Sequence, residues 1–173
     1  TNNRETVVRT AAKSGNLDVV TLLTKNGADI DAKVTVQRTA LMDAAGNGNL
    51  EVARLLLENG ADIHAKDTDE RTALMYAAAI GDLEVATFLI ENGADINAKD
   101  TDEWTALIYA ARKNKLEVVA FLIENGADLR AKDKEGYTAL LAAARNGNLE
   151  MVTLLEENGA DIGAKNKDGG DTA

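Results

Sequence analysis

The feature that most constrains this chain is a sequence pattern that returns every 33 residues. The tetrapeptide Asn-Gly-Ala-Asp begins at Asn26, Asn59, Asn92, Asn125 and Asn158. The tripeptide Thr-Ala-Leu recurs with the same period, beginning at Thr39, Thr72, Thr105 and Thr138. A fixed period of this length predicts a repeat architecture, in which each unit buries its apolar side against its neighbours. We therefore interpret residues 1–165 as one domain made of five units: 1–33, 34–66, 67–99, 100–132 and 133–165. Residues 166–173 then form a C-terminal tail or a partial sixth repeat.

The third unit illustrates how each unit is expected to fold. Its first residues, 67–71, are polar and predict a turn. Thr72 is a favourable N-cap for a helix from Ala73 to Ile80, and Gly81 predicts the end of that helix because glycine tolerates a left-handed backbone. A second helix follows and ends at Gly93. The first helix spans only about two turns and is not stable alone, so each unit requires its neighbours.

These motifs closely resemble the ankyrin repeat. The resemblance rests on the 33-residue period and on the segments T-x-L-x-x-A-A, G-x-L-x-V-x-x-L-L and N-G-A-D-I-x-A-K. It implies an all-α fold, an ankyrin-repeat solenoid of helix-turn-helix units joined by β-turn or hairpin fingers. The family's T-P-L-H motif loses its histidine here, which is replaced by Met42, Met75, Ile108 and Leu141. We therefore expect only apolar contact at these positions, without the turn hydrogen-bond network that the resemblance implies for the histidine.

Other departures from the family pattern concern the turns and the ends of the array. The family's turn glycine is replaced in three units, by Gln37, Glu70 and Glu103. At unit position 9, which is apolar in the other units, the first unit has Arg9, and at position 24 the end units have Thr24 and Glu156. Polar residues at these positions predict that units one and five are the ends of the array and face water on one side.

The five units differ most at unit positions 2, 3, 5, 10, 13 and 14. Positions 10, 13 and 14 share one face of a helix, and positions 2, 3 and 5 belong to the turn before it. The resemblance places these positions on the concave groove with which ankyrin repeats bind partners. Four of the six aromatic residues fall there, whereas Phe88 and Phe121 belong to the core. Trp, Tyr and Arg are the residues that most often dominate protein-binding energy.

These positions define a predicted partner-binding surface, called the variable strip below. Its residues are Arg38, Thr68, Asp69, Arg71, Tyr76, Ile80, Asp102, Trp104, Tyr109, Arg112, Lys113, Glu135, Tyr137 and Arg145. The predicted mechanism is burial of the aromatic side chains, with Arg71, Arg112 and Lys113 pairing with acidic residues of the partner. A simpler interpretation is that the rings only cover small alanines and that nothing binds.

Composition argues against several other classes of function. The 173-residue chain has 29 acidic and 19 basic side chains, a formal net charge of −10, which disfavours nucleic acid because duplex binding uses Lys and Arg at the phosphates. The variable strip itself is near-neutral, and the acids are concentrated at framework positions. No apolar run approaches the length of a membrane span.

Catalytic groups are scarce as well. The chain has no Cys, and its only Ser and only His, Ser14 and His64, fall in different units. We expect His64 to be a solvent-exposed turn residue and expect no metal site in the acidic turns at 67–70 and 100–103. No catalytic residue, metal or cofactor is therefore predicted.

The sequence thus predicts a non-catalytic protein-binding scaffold that captures a protein partner through its concave face. We expect the chain to be monomeric alone, intracellular and soluble, with no nucleic-acid or membrane partner. The alternatives are a structural or self-associating repeat array without a separate partner, and an engineered ankyrin scaffold with no natural function. The identity of the partner and the natural or engineered origin of the chain stay open.

Overall fold

The computed structural model describes residues 2–32 and 37–167, and the regular structure of these residues is helical. The side chains are described from Val7 onward. The helices within these ranges are α1 (Asn2–Lys13), α2 (Leu17–Lys25), α3 (Ala40–Ala45), α4 (Leu50–Glu58), α5 (Ala73–Ile80), α6 (Leu83–Glu91), α7 (Ala106–Arg112), α8 (Leu116–Glu124), α9 (Ala139–Arg145) and α10 (Leu149–Glu157).

The helix boundaries follow the 33-residue period because the same residues begin and end each helix. The hydroxyl of Thr105 accepts a hydrogen bond from the backbone N–H of Ile108, and the other Thr-Ala-Leu threonines make the same bond. This bond satisfies one of the backbone donors that a helix start leaves unpaired. Gly81 has a φ of +84° at the end of α5, so the predicted helix from Ala73 to Ile80 and its glycine stop are confirmed.

The methionines that replace the family's histidine make a contact that the sequence analysis did not expect. The sulfur of Met42 lies 3.5 Å from the backbone nitrogen of Thr39, and the sulfur of Met75 lies 3.5 Å from that of Thr72. Sulfur is a weak acceptor, but it still offers this backbone N–H a partner. The expectation of purely apolar contact is therefore wrong at these two positions.

The first unit departs from the predicted turn. Helix α1 already begins at Asn2, so unit positions 2, 3 and 5 are helical in this unit and do not form a turn. The turns of the last three units are each built around an aspartate at position 1, whereas the first unit has Thr1 there. The missing aspartate does not by itself explain the difference, because the second unit has Val34 at position 1 and its residues 37–39 are not helical.

The helices group into two compact bodies. The N-terminal body comprises the residues up to Ala77 together with Glu84–Asp95, and the C-terminal body comprises Ala78–Leu83 together with the residues from Ile96 onward. In the N-terminal body, α1 packs on α2 and α3, and α3 packs on α4. In the C-terminal body, α7 packs on α8 and α9, and α9 packs on α10. The largest fully buried side chains are Leu41, Met42, Leu56, Leu74, Met75 and Leu89 in the first body, and Leu107, Ile108, Leu122, Leu140, Leu141 and Met151 in the second.

Arg9 does not have the role predicted for a water-facing end of the array. Its side chain is only 17% exposed, and its Nε donates a hydrogen bond of 2.7 Å to the carboxylate of Asp43 in the next unit. The reason is that Asp43 is buried and needs cationic partners, because a buried carboxylate is costly unless it is paired.

The beginning of the predicted tail packs against the fifth unit. The backbone N–H of Lys167 donates to the carbonyl oxygen of Glu135 at 2.8 Å, and Asn166 is buried. Residues 168–173, the rest of the predicted tail, lie outside the described residues. Among the helices that the structure describes, none is both long and apolar enough to cross a membrane.

Candidate partner-binding surface

A buried aspartate organises each of the turns at 67–71, 100–104 and 133–137, called fingers below. In the first finger, Oδ1 of Asp67 accepts hydrogen bonds of 2.9 Å from the backbone N–H groups of Asp69 and Arg71. Asp100 and Asp133 accept the equivalent pair of bonds in the other two fingers. A carboxylate bound in this way holds the loop in one conformation and is stabilised in its charged form.

The second oxygen of this aspartate is bound by a tyrosine of the same unit in two fingers. The hydroxyl of Tyr76 donates to Oδ2 of Asp67 at 2.5 Å, and that of Tyr109 donates to Oδ2 of Asp100 at 2.7 Å. The polar ends of two predicted binding residues are therefore used within the chain. Sequence reasoning missed this network, although a signal was present, since Asp at unit position 1 occurs with Tyr at position 10 in units three and four.

In the third finger, the second oxygen of the aspartate is bound by a residue of the preceding unit. Position 10 of the fifth unit is Ala142, which has no hydroxyl, and the indole Nε1 of Trp104 donates to Oδ2 of Asp133 at 3.1 Å. The hydroxyl of Tyr137 in turn accepts a hydrogen bond of 3.1 Å from the side-chain amide of Asn166. Both rings are thus held in place by hydrogen bonds at their edges.

The hydrogen bond between Tyr76 and Asp67 shifts the pKa of both groups. Burial and the hydrogen bond to Asp67 raise the pKa of Tyr76 to about 12. For Asp67, burial alone would raise the pKa, but the hydrogen bonds from Tyr76 and from the backbone of Arg71 and Asp69 outweigh it and hold the pKa below its usual value. The tyrosine is therefore a neutral donor and the aspartate a charged acceptor across the ordinary pH range.

Cationic residues of the variable strip in the N-terminal body already pair with acids of the chain. Arg71 forms ion pairs with Asp67, at 3.2 Å from Nε, and with Asp69. The Nε of Arg38 lies 2.8 Å from the carboxylate of Asp43 without the alignment of a hydrogen bond, and its guanidinium lies 4.0 Å from the centre of the Tyr76 ring. Thr68 and Asp69 are exposed at the tip of the finger.

The C-terminal body presents an open pocket of about 370 Å³, called the finger pocket below. Two aromatic residues (Trp104, Tyr137), three bases (Arg112, Lys134, Arg145) and three acids (Asp102, Asp133, Glu135) line it. The guanidinium of Arg112 lies 4.1 Å from the centre of the Trp104 ring, and Trp104 meets the ring of Tyr109 edge-on at 5.0 Å. The structure thus brings six predicted binding residues to one pocket: Asp102, Trp104, Arg112, Glu135, Tyr137 and Arg145. Tyr109 contacts Trp104 but is not part of the pocket lining.

The other predicted binding residues of this body lie outside the pocket. Lys113 is exposed at the end of α7, and the side chain of Ile80 is 39% exposed at the end of α5. Lys134 lies at a variable unit position and lines the pocket, although it is not among the predicted binding residues. His64 is exposed, as predicted. Within the described residues, no group of three or more His, Cys, Asp or Glu side chains is placed to hold a metal ion.

Comparison with known proteins gives one family. A family model described as ankyrin repeats (3 copies) matches residues 8–100 and, in a second, overlapping match, residues 74–166. Together the two matches extend over nearly the whole of the five predicted units. No curated protein matches the chain.

Proposed function

The chain belongs to the ankyrin repeat family, and from this membership we propose that it is a non-catalytic scaffold that captures a protein partner through its variable strip. Family membership confirms the resemblance and the all-α ankyrin-repeat solenoid class that the sequence predicted. Ankyrin repeats are generally protein–protein interaction modules and are typically non-enzymatic. The specific partner surface and the absence of catalysis are the parts that we propose.

The observation that carries this proposal is the prearranged set of aromatic and arginine side chains in the C-terminal body. Trp104 is held by Asp133 and Tyr137 by Asn166, so neither ring needs to be ordered when a partner binds. Binding to a surface that is already ordered avoids the entropy cost of immobilising side chains. The half-buried rings of Trp104 and Tyr137 line the same pocket as the exposed Arg145, and Trp, Tyr and Arg are the residues typical of interface hot spots.

The same contacts divide the strip into residues with different expected roles. The hydroxyls of Tyr76 and Tyr109 are used within the fingers, so these residues offer a partner ring surface more than a polar group. Arg71 already pairs with two carboxylates, and its predicted pairing with acids of a partner would require exchange of those ion pairs. Arg112 and Lys113 keep the role that the sequence analysis gave them.

The test is affinity capture of partners with mass spectrometry, using the wild-type chain and the charge-reversal variant Arg112→Glu/Arg145→Glu. The control variant is Arg130→Glu/Lys132→Glu, which makes the same change of charge at two exposed residues outside the strip. We expect partners that bind the wild type and the control to be lost from the strip variant. Partners retained by all three chains, or lost equally from both variants, would contradict the proposal.

Self-association through the same surface is the competing use of such a strip. Light scattering over a wide range of protein concentration distinguishes self-association from binding of a separate partner. A chain that binds only a separate partner stays monomeric by itself, so its mass does not change with concentration. If the measured mass rises with concentration in the wild type but not in the strip variant, the self-associating array would be favoured.

A further inference from the structure

The arginines of the variable strip differ in whether the chain itself supplies their counterions. In the N-terminal body, Arg38 and Arg71 lie within ion-pair distance of Asp43, Asp67 and Asp69. In the C-terminal body, neither Arg112 nor Arg145 forms an ion pair with any residue that the structure describes. The two strip arginines without an ion pair to the described residues therefore both line the finger pocket.

The packing of α7 against α9 explains why these two arginines share one pocket. The side-chain amide of Asn146 donates to the carbonyl oxygens of Ala111, at 3.0 Å, and Arg112, at 3.3 Å. This joins the C-terminal end of α9, where Arg145 lies, to the C-terminal end of α7, where Arg112 lies. Both side chains line the finger pocket as a result.

The guanidinium of Arg112 lies over the face of an ordered aromatic ring. It stacks on the ring of Trp104, which is itself fixed by its hydrogen bond to Asp133 and its edge contact with Tyr109. Stacking occupies the face of a guanidinium and leaves its N–H edge available for a planar acceptor. A carboxylate is such an acceptor, since its two oxygens match the two parallel N–H groups of arginine.

From this arrangement we propose that the finger pocket binds one acidic side chain, Asp or Glu, of an extended segment of the protein partner, with Arg112 and Arg145 as the cationic partners. This inference rests on the proposed function, because it names the chemistry of the partner segment at that surface. The methylene groups of the same segment pack against the exposed parts of Trp104 and Tyr137.

The acids of the pocket favour a carboxylate over a phosphate group. Asp102, Asp133 and Glu135 line the same pocket, so the three bases do not create an excess of positive charge. A phosphate group carries close to two negative charges at neutral pH and would be repelled by these acids more strongly than a carboxylate with one. For the same reason we expect uncharged or basic residues, and not further acids, next to the bound side chain.

The chain contains its own reporter for this site, since Trp104 is its only tryptophan. Random dodecapeptides displayed on phage would be selected on the full chain, and those that change the Trp104 fluorescence would be synthesised. Each peptide would then be compared with a version in which its acid is replaced by the amide, Glu by Gln or Asp by Asn, and with a phosphoserine version.

We expect the amide version to bind about 10-fold more weakly than the acid to the wild-type chain, the effect of losing one hydrogen bond to a charged group. In the Arg112→Gln/Arg145→Gln variant the acid and amide versions should bind alike. The control Arg130→Gln, at an exposed residue outside the strip, should keep the full difference. If the double variant fails to fold, the single variant Arg145→Gln is used instead, because Arg145 is exposed. We expect its preference for the acid over the amide to be smaller than that of the wild type.

Selected peptides that show no preference for the acid, or that keep it in the arginine variant, would overturn the inference while leaving the strip as a binding surface. A phosphoserine version that binds more tightly than the acid would overturn the choice of a carboxylate. Failure to select any peptide that changes Trp104 fluorescence would also overturn the inference. The proposed function would be judged separately, by loss or retention of captured proteins in the charge-reversal experiment.

Discussion

The indole nitrogen of Trp104 donates a hydrogen bond to the buried carboxylate of Asp133, joining two successive fingers at 3.1 Å. The equivalent oxygen of Asp67 and of Asp100 is bound by a tyrosine of its own unit. Trp104 therefore has a structural role in addition to its predicted role in binding. Trp104→Ala would therefore remove this contact as well as any contact with a partner, so a binding measurement on that variant needs a stability measurement beside it.

We predict that Trp104→Phe lowers the free energy of unfolding by about 1–2 kcal/mol, because Oδ2 of Asp133 loses its donor. Adding Ala142→Tyr to this variant should recover part of the loss, since Tyr at this unit position makes the equivalent bond in the two preceding units. Urea denaturation of the single and double variants measures both effects. No recovery by Ala142→Tyr, with both chains folded, would contradict the equivalence of the three fingers.

We predict that Tyr76→Phe lowers the stability by about 1.5 kcal/mol at neutral pH, the usual contribution of a hydrogen bond to a charged acceptor. The difference from wild type should be constant below the ordinary tyrosine pKa of 10.0 and should shrink as pH rises towards about 12. The stabilising contribution of Tyr76 decreases at high pH because its pKa is higher in the folded than in the unfolded chain. Deprotonation of the folded hydroxyl removes the hydrogen bond to Asp67 and with it this contribution.

The measurement is the free energy of unfolding by urea at several pH values from neutral to alkaline, for the wild type and Tyr76→Phe. The two chains differ only at residue 76, so the difference between their free energies of unfolding isolates the contribution of Tyr76. A difference that stays constant up to pH of about 12, or that grows with pH, would contradict the assignment of the raised pKa to this hydrogen bond.

We predict that Glu70→Gly and Glu103→Gly each stabilise the chain by about 1 kcal/mol. Glu70 has a φ of +62° and Glu103 a φ of +64°, a left-handed backbone that costs residues with a Cβ roughly 1–2 kcal/mol. Gly136 occupies the equivalent position of the fifth unit with a φ of +86°. The ion pair of Glu70 with Lys66 is largely exposed and offsets little of this gain.

Thermal denaturation of the two glycine variants measures this gain, with Glu70→Ala as the matched control. The alanine variant also removes the Lys66 ion pair but keeps the Cβ, so it should be no more stable than wild type. Equal stabilisation by glycine and alanine would show that the charge, and not the backbone conformation, matters at this position.

We predict that Asp43→Asn destabilises the chain by about 3 kcal/mol, since it leaves the half-buried side chains of Arg9 and Arg38 without their counterion. The matched control is Glu51→Gln, which removes an exposed carboxylate 3.9 Å from Arg54 and should change the stability by less than about 1 kcal/mol. Similar effects of the two substitutions in urea denaturation would contradict the structural role assigned to Asp43.

Much of the fold follows from sequence because its determinants are local. A threonine caps the helix that follows it, and a glycine ends the helix before it, whatever the rest of the chain does, so the bounds of α5 could be predicted. The candidate site could be predicted in outline for the same reason, because unit position alone places Trp104, Arg112 and Arg145 on one face of the repeats. The helical start of the first unit is an exception, since the repeat pattern predicts a turn at these positions.

The sequence by itself determined the repeat, the family and the bounds of helices such as α5. Only the tertiary structure decided that Arg38 and Arg71 are paired within the chain while Arg112 and Arg145 line a pocket without an ion pair to the described residues. It also decided that Trp104 supplies the donor that Ala142 lacks. The physical reason is that Trp104 and Asp133 belong to different units, and that Arg38 and Arg71 lie in turns whose exact conformation decides which carboxylate they reach. Their pairing depends on distances of a few ångströms that a sequence period does not specify.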